Sequence, residues 1–121
     1  MTKQVLERIF FGKDNAFKLN FTSKGETYFQ LGVKKDEGWS WKKVKMNDME
    51  LGKIINVLEN KTAKASFYHE FEGERTQIWV NRKDKFVFIR IGDNSKGLNA
   101  GEQTVLRELL KYAVLRTNMI L

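Results

Sequence analysis

The 121-residue chain contains no cysteine, no proline and a single histidine. Without cysteine there can be no disulfide, thiolate nucleophile, zinc ribbon or iron–sulfur ligation, and the chain suits a reducing compartment. No apolar run approaches the ~20 residues of a membrane-spanning helix. Lys3, Glu7 and Arg8 interrupt the N-terminal apolar positions, so a signal-peptide core is missing and a cytoplasmic location is expected. His69 falls between Phe67 and Phe71 on an apolar face, where it reads as a satisfied core histidine rather than a general base. In the Gly-rich stretch 92–101, Lys96 precedes Gly97 and no Ser or Thr follows, which excludes a phosphate-binding Walker loop. Acidic residues nowhere show the spacing of a two-metal nuclease. The expectation is a protein that is not an enzyme, with no metal and no cofactor.

What the chain does have is positive charge and aromatic rings. Lys and Arg number 22 against 15 Asp and Glu, giving a net charge of +7. The excess is spread evenly, +4 over residues 1–62 and +3 over 63–121. No basic arm is attached to a neutral body, so a folded surface must present the charge, either to a polyanion or simply to water. With 41% hydrophobic residues the chain is too apolar for a disordered tail, and its length fits one domain.

Period-two alternation sets out the strands. Phe17, Leu19 and Phe21 alternate with Lys18 and Asn20; Phe29, Leu31 and Val33 alternate with Tyr28, Gln30, Gly32 and Lys34; Val44 and Met46 alternate with Trp39, Trp41, Lys43 and Lys45. Gly32 marks an expected bend or bulge. A helical pattern follows, in which Asn47 and Glu50 have capping-box spacing ahead of Leu51, Ile54, Ile55 and Leu58. The cycle then restarts. Strands over 63–71, 75–81 and 86–91 precede a Gly92–Gly97 loop, and Asn99 and Glu102 open a second amphipathic helix. Apolar-Asn-x-x-Glu thus occurs twice at an offset of 52 residues. The fold expected is α+β, a tandem βββα repeat with halves at about 13–61 and 63–121 in one domain spanning 1–121. Residues 3–11 read equally well as a short helix or an edge strand.

If the helices cover the aliphatic faces, the opposite faces carry Tyr28, Trp39, Trp41, Tyr68, Trp79, Phe86 and Phe88, interleaved with Lys18, Lys34, Lys43, Lys45 and Arg90. Such a surface suits single-stranded nucleic acid, because unpaired bases stack on rings while cations neutralise phosphates. The competing reading places the rings in a second core or an interface between protein chains, and for Phe86 and Phe88, which lack a polar tip, the two stand level.

The stretches Lys42-Lys43-Val44-Lys45-Met46-Asn47-x-x-Glu50 and Lys96-Gly97-Leu98-Asn99-x-x-Glu102-Gln103 resemble the positive cofactor 4 and Whirly superfamily of single-stranded DNA-binding proteins, with ThermoDBP-type proteins and Pur-alpha repeats as related or analogous cases. The topology extends the likeness over the chain, while the motif covers only these two stretches. The resemblance implies curved antiparallel sheets packed against two helices, cradling an extended strand on a concave surface with little sequence preference. The Lys-Gly-Lys-Ala-Ala-Leu motif of plant Whirly proteins is missing, so their 24-subunit assembly does not carry over. The partner expected is single-stranded DNA ahead of single-stranded RNA, with no membrane and with a homodimer as the assembly. The different-class alternative is a protein-interaction or oligomerisation module using the same aromatic face.

Overall fold

A computed structural model describes residues 3–119, apart from the side chain of Phe71, whose expected place on the aliphatic face therefore lies outside the described residues. Strands β1 (Gln4–Phe11), β2 (Asn15–Thr22), β3 (Thr27–Lys35) and β4 (Gly38–Met46) form an antiparallel sheet in chain order and lead into helix α1 (Asp48–Leu58). A second sheet of β5 (Lys64–Phe71), β6 (Glu74–Lys83), β7 (Phe86–Ile91) and β8 (Asn94–Leu98) leads into α2 (Ala100–Met119). The protein is α+β, with two four-stranded antiparallel sheets and two helices.

Each half therefore has one strand more than the expected three. Residues 4–11 are an edge strand, with Phe10 opposite Phe17 and Phe11 opposite Ala16. The expected loop at 92–97 is largely strand β8, bonded to β7 from Val87↔Leu98 to Ile91↔Asn94. Its inward positions hold Asn94 and Lys96 where alternation calls for aliphatics, and both are buried. Asn94 Nδ2 donates to the carbonyls of Leu31 (2.8 Å) and Ser40 (3.2 Å), which fastens β8 across the first sheet. Lys96 Nζ donates to Gly97 O at 3.1 Å and lies 3.8 Å from Glu102. Buried polar groups persist when partnered in this way.

Both capping boxes form. Asn47 and Glu50 exchange bonds of 2.9 and 2.8 Å, and Asn99 and Glu102 exchange bonds of 3.0 and 2.9 Å. The 52-residue offset also holds for the last strands, aligning Met46 with Leu98. Across the preceding hairpin it fails: Thr27 pairs with Met46, whereas the equivalent Val87 pairs with Leu98. The second hairpin is eight residues shorter, so β3 and β7 correspond at an offset of 60.

The inner faces share one core, in which Phe17, Leu19, Phe29 and Leu31 of the first sheet join Ile78, Val80, Ile89 and Ile91 of the second and Leu51, Ile54, Leu106 and Leu110 of the helices. The helices interlock the halves. Helix α1 packs on β5 and β6 of the other half. There Arg82 donates to the carbonyls of Val57 (3.0 Å) and Leu58 (3.2 Å) at the helix end, and His69 Nε2 lies 2.7 Å from Glu50 Oε2. The C-terminal part of α2 returns to the first sheet, where Tyr112 packs against Phe21 and Thr117 Oγ1 donates to Gly25 O at 3.0 Å. His69 is thus half-buried at the margin of the core, satisfied by a capping carboxylate.

Candidate nucleic-acid interface

With the helices on the inner faces, strand alternation leaves one outer face on each sheet. The pairing of β1 to β4 lays the first face out in rows: Glu7, Asn20, Tyr28, Lys45; then Ile9, Lys18, Gln30, Lys43; then Phe11, Ala16, Gly32, Trp41, with Lys34 and Trp39 paired beyond. The seven residues expected from this half, Lys18, Tyr28, Lys34, Trp39, Trp41, Lys43 and Lys45, share this face. On the second sheet the rows are Lys64, Asn81, Phe88, Gly97 and then Ser66, Trp79, Arg90, Ser95, flanked by Tyr68 at one end and Phe86 at the other. Tyr68, Trp79, Phe86, Phe88 and Arg90 share that second face. The twelve positions occupy two faces of two sheets rather than one sheet.

Gly32 makes no bulge; both of its ladders run in unbroken register. Its role is steric. A methyl group at Gly32 would come within 2.8 Å of the Trp41 indole, so the missing side chain lets that ring lie flat on the sheet. Gly97 does the same for Phe88, at 2.9 Å. Trp39 stacks beside Trp41 with ring centres 5.8 Å apart and planes 24° from parallel. Phe86 and Phe88 lie 6.2 Å apart.

Four cations rest on four of these rings. Lys18 lies 4.6 Å from the centre of Trp41, Lys43 4.4 Å from Tyr28, Arg75 3.9 Å from Tyr68 and Arg90 4.9 Å from Trp79. Contacts of this kind are worth about 0.5–1 kcal/mol when exposed. Arg90 is braced further by donating Nε to Gly92 O at 2.8 Å.

Sequence reading missed several members of these faces. Phe11, 69% exposed, joins the aromatic row of the first sheet, and Glu7 sits 3.9 Å from Lys18. Both were hidden because β1 was unassigned. Arg75 shares the parity of Trp79 on β6, and that parity was its available signal. Glu26, in the turn before β3, holds Lys45 at 3.1 Å and accepts a bond from the Tyr28 hydroxyl at 3.2 Å. The hydrogen bond from Lys45 keeps the Glu26 carboxyl below the usual glutamate range. Burial, followed by the charge of Glu26, pushes the Tyr28 phenol up.

Two clefts lie where the edge strand β4 meets the second sheet. One cleft there is lined by Tyr28, Lys43, Lys45, His69 and Glu70, and a neighbouring one by Lys42, Tyr68, Arg75, Trp79 and Arg90. Lys42, whose parity on β4 is inward, is the first-sheet group that borders the aromatic residues of the second. Among the described residues no group of three His, Asp or Glu side chains is arranged to hold a metal ion, and no helix is long and apolar enough to cross a membrane. No protein-family model matches the chain, and no curated protein matches it by sequence.

Proposed function

We propose that the protein binds single-stranded DNA without catalysis, stacking bases on the outer-face rings and neutralising phosphates with the neighbouring Lys and Arg. The observation that carries this reading is the composition of the two helix-free faces, which display large rings beside cations where an ordinary solvated sheet presents Thr, Lys and Glu. Duplex bases are already stacked on one another and have no free face to offer, whereas each unpaired base stacked on a ring contributes about 1–3 kcal/mol. In this reading the two faces and the clefts between them form one concave track with little sequence preference. Single-stranded RNA engages the same rings, and DNA is the preferred ligand in this proposal.

Titration with oligo-dT at several salt concentrations tests the reading through tryptophan fluorescence. The result expected is quenching, with an affinity that falls linearly on a log–log plot against salt. An unquenched, salt-independent signal at low ionic strength would overturn it. Competition between matched DNA and RNA oligomers then ranks the two ligands. A homodimer is the proposed assembly, supported by the stripe of Val105, Tyr112, Leu115 and Met119 exposed along α2, and solution mass measurement checks it.

A further inference from the structure

The outer-face rings are not equivalent. Trp41 has the Gly32 backbone against one face and the Lys18 ammonium at the other, and Tyr28, Tyr68 and Trp79 each hold a cation of their own. Each of these four rings therefore already has a cation for a partner, and on Trp41 the Gly32 backbone occupies ring surface as well. Among the described residues, Phe11, Trp39, Phe86 and Phe88 are the outer-face rings that carry no cation; Phe88 is half-buried, while Phe11, Trp39 and Phe86 are 69%, 41% and 46% exposed.

Resting on the nucleic-acid reading above, we propose a division of labour within the interface: the exposed cation-free rings, Phe11 and Trp39 on the first sheet and Phe86 on the second, are the base-stacking stations, while the cation-covered rings are splints that hold Lys18, Lys43, Arg75 and Arg90 in place as phosphate clamps. A flexible Lys or Arg loses rotamer freedom when it fixes a phosphate. Laying the side chain on a ring removes part of that freedom before the ligand arrives, and preorganisation of this kind raises affinity. Trp41 is the clearest splint. Its own position is set by Gly32, so the Lys18 head group is fixed relative to the sheet.

The division is measurable because the three tryptophans fall on both sides of it. The test compares oligo-dT binding and quenching in Trp39→Phe, Trp39→Ala, Trp41→Phe, Trp79→Phe and Lys18→Ala, with circular dichroism checking each fold. Trp39→Phe is expected to remove most of the quenching, and Trp39→Ala to weaken binding about 5- to 150-fold with the salt slope unchanged. Trp41→Phe and Trp79→Phe keep a ring under their cations and are expected to retain both quenching and affinity. Lys18→Ala is expected to lower the salt slope by about 0.7, one phosphate contact on a single strand. The division is overturned if the wild-type protein binds with a salt slope but quenching survives Trp39→Phe and disappears in Trp41→Phe or Trp79→Phe. Absence of wild-type binding at low salt defeats the nucleic-acid reading, and this division with it.

Discussion

Position for position, the two halves solve the same structural problem with different chemistry. Phe17, Leu19, Phe29 and Leu31 in the first sheet correspond to Ile78, Val80, Ile89 and Ile91 in the second, and all eight are fully buried. Outward, equivalence breaks down. Where the first sheet has Lys18 and Lys43, the second has Trp79 and Ser95; where the first has Glu7 and Lys45, the second has Lys64 and Gly97. The first face is lysine-rich and partly neutralised by its own Glu7 and Glu26, while the second relies on Arg75 and Arg90 over rings. Inward positions match where both sheets share the central core and part where an element is anchored by a polar group, as when Phe21 corresponds to Arg82 and Val44 to Lys96; outward positions answer to whatever the surface meets.

The severest way to break the comparison is to separate the halves. A fragment of residues 1–62 leaves the inner face of the first sheet without α2, and its α1 without β5 and β6. It is expected not to fold, giving an unfolded circular dichroism spectrum and collapsed amide dispersion by NMR, whereas an independently stable half would show native-like signals in both. Next in size is the equivalent pair Phe21 and Arg82, each meeting the helix of the other half. Phe21→Ala empties a buried site and should cost about 3–5 kcal/mol in urea unfolding. Arg82→Ala removes two charge-assisted bonds to the end of α1 and should cost about 1–3 kcal/mol.

Gly32→Ala sharpens the comparison of the outer faces. The added methyl lifts the Trp41 ring, for a cost of about 1–3 kcal/mol and a red-shifted tryptophan emission, while Gly97→Ala strains Phe88 and leaves Trp41 emission alone. The helix starts provide a matched pair with a smaller effect. Asn47→Ala and Asn99→Ala should each cost about 1 kcal/mol, read as a fall in thermal midpoint. The smallest effect concerns Glu59, whose pKa is lowered by hydrogen bonds from Lys111, which joins the helices, and from Lys61. A depressed carboxyl stabilises the fold above the ordinary glutamate range and loses that contribution as pH falls through its folded value. Glu59→Gln should therefore lower the neutral plateau of a plot of thermal midpoint against pH slightly and meet the wild-type curve at acid pH, which flattens the acid limb.

Most of the strands were legible because their inward residues are aliphatic and alternate. Two strands broke that signal for separate reasons: β1, which reads equally as helix or edge strand, and β8, which reads as a loop. In β1, Val5, Leu6, Ile9 and Phe10 have the spacing of a helical stripe, and an edge strand buries too few side chains to correct the impression. In β8, Asn94 and Lys96 point inward because each reaches a specific carbonyl, which residue type alone does not announce. The helix starts were legible to the residue, since a capping box is local chemistry. Of the outer-face positions, all twelve fell on the expected sides, because side follows from parity. The cations over the rings were not legible, as they depend on which strand lies next to which.

The return of α2 to the first sheet also fixes an order of events on the ribosome. The hairpins β1–β2 and β3–β4 are complete once residue 46 has been made, yet part of the covering for their apolar inner face lies in residues 112–117. At about 5–20 residues per second, that face waits several seconds for its cover. Like the isolated fragment of residues 1–62, the nascent first half is expected to stay unfolded through that interval, with Phe17, Leu19, Phe29 and Leu31 open to a chaperone.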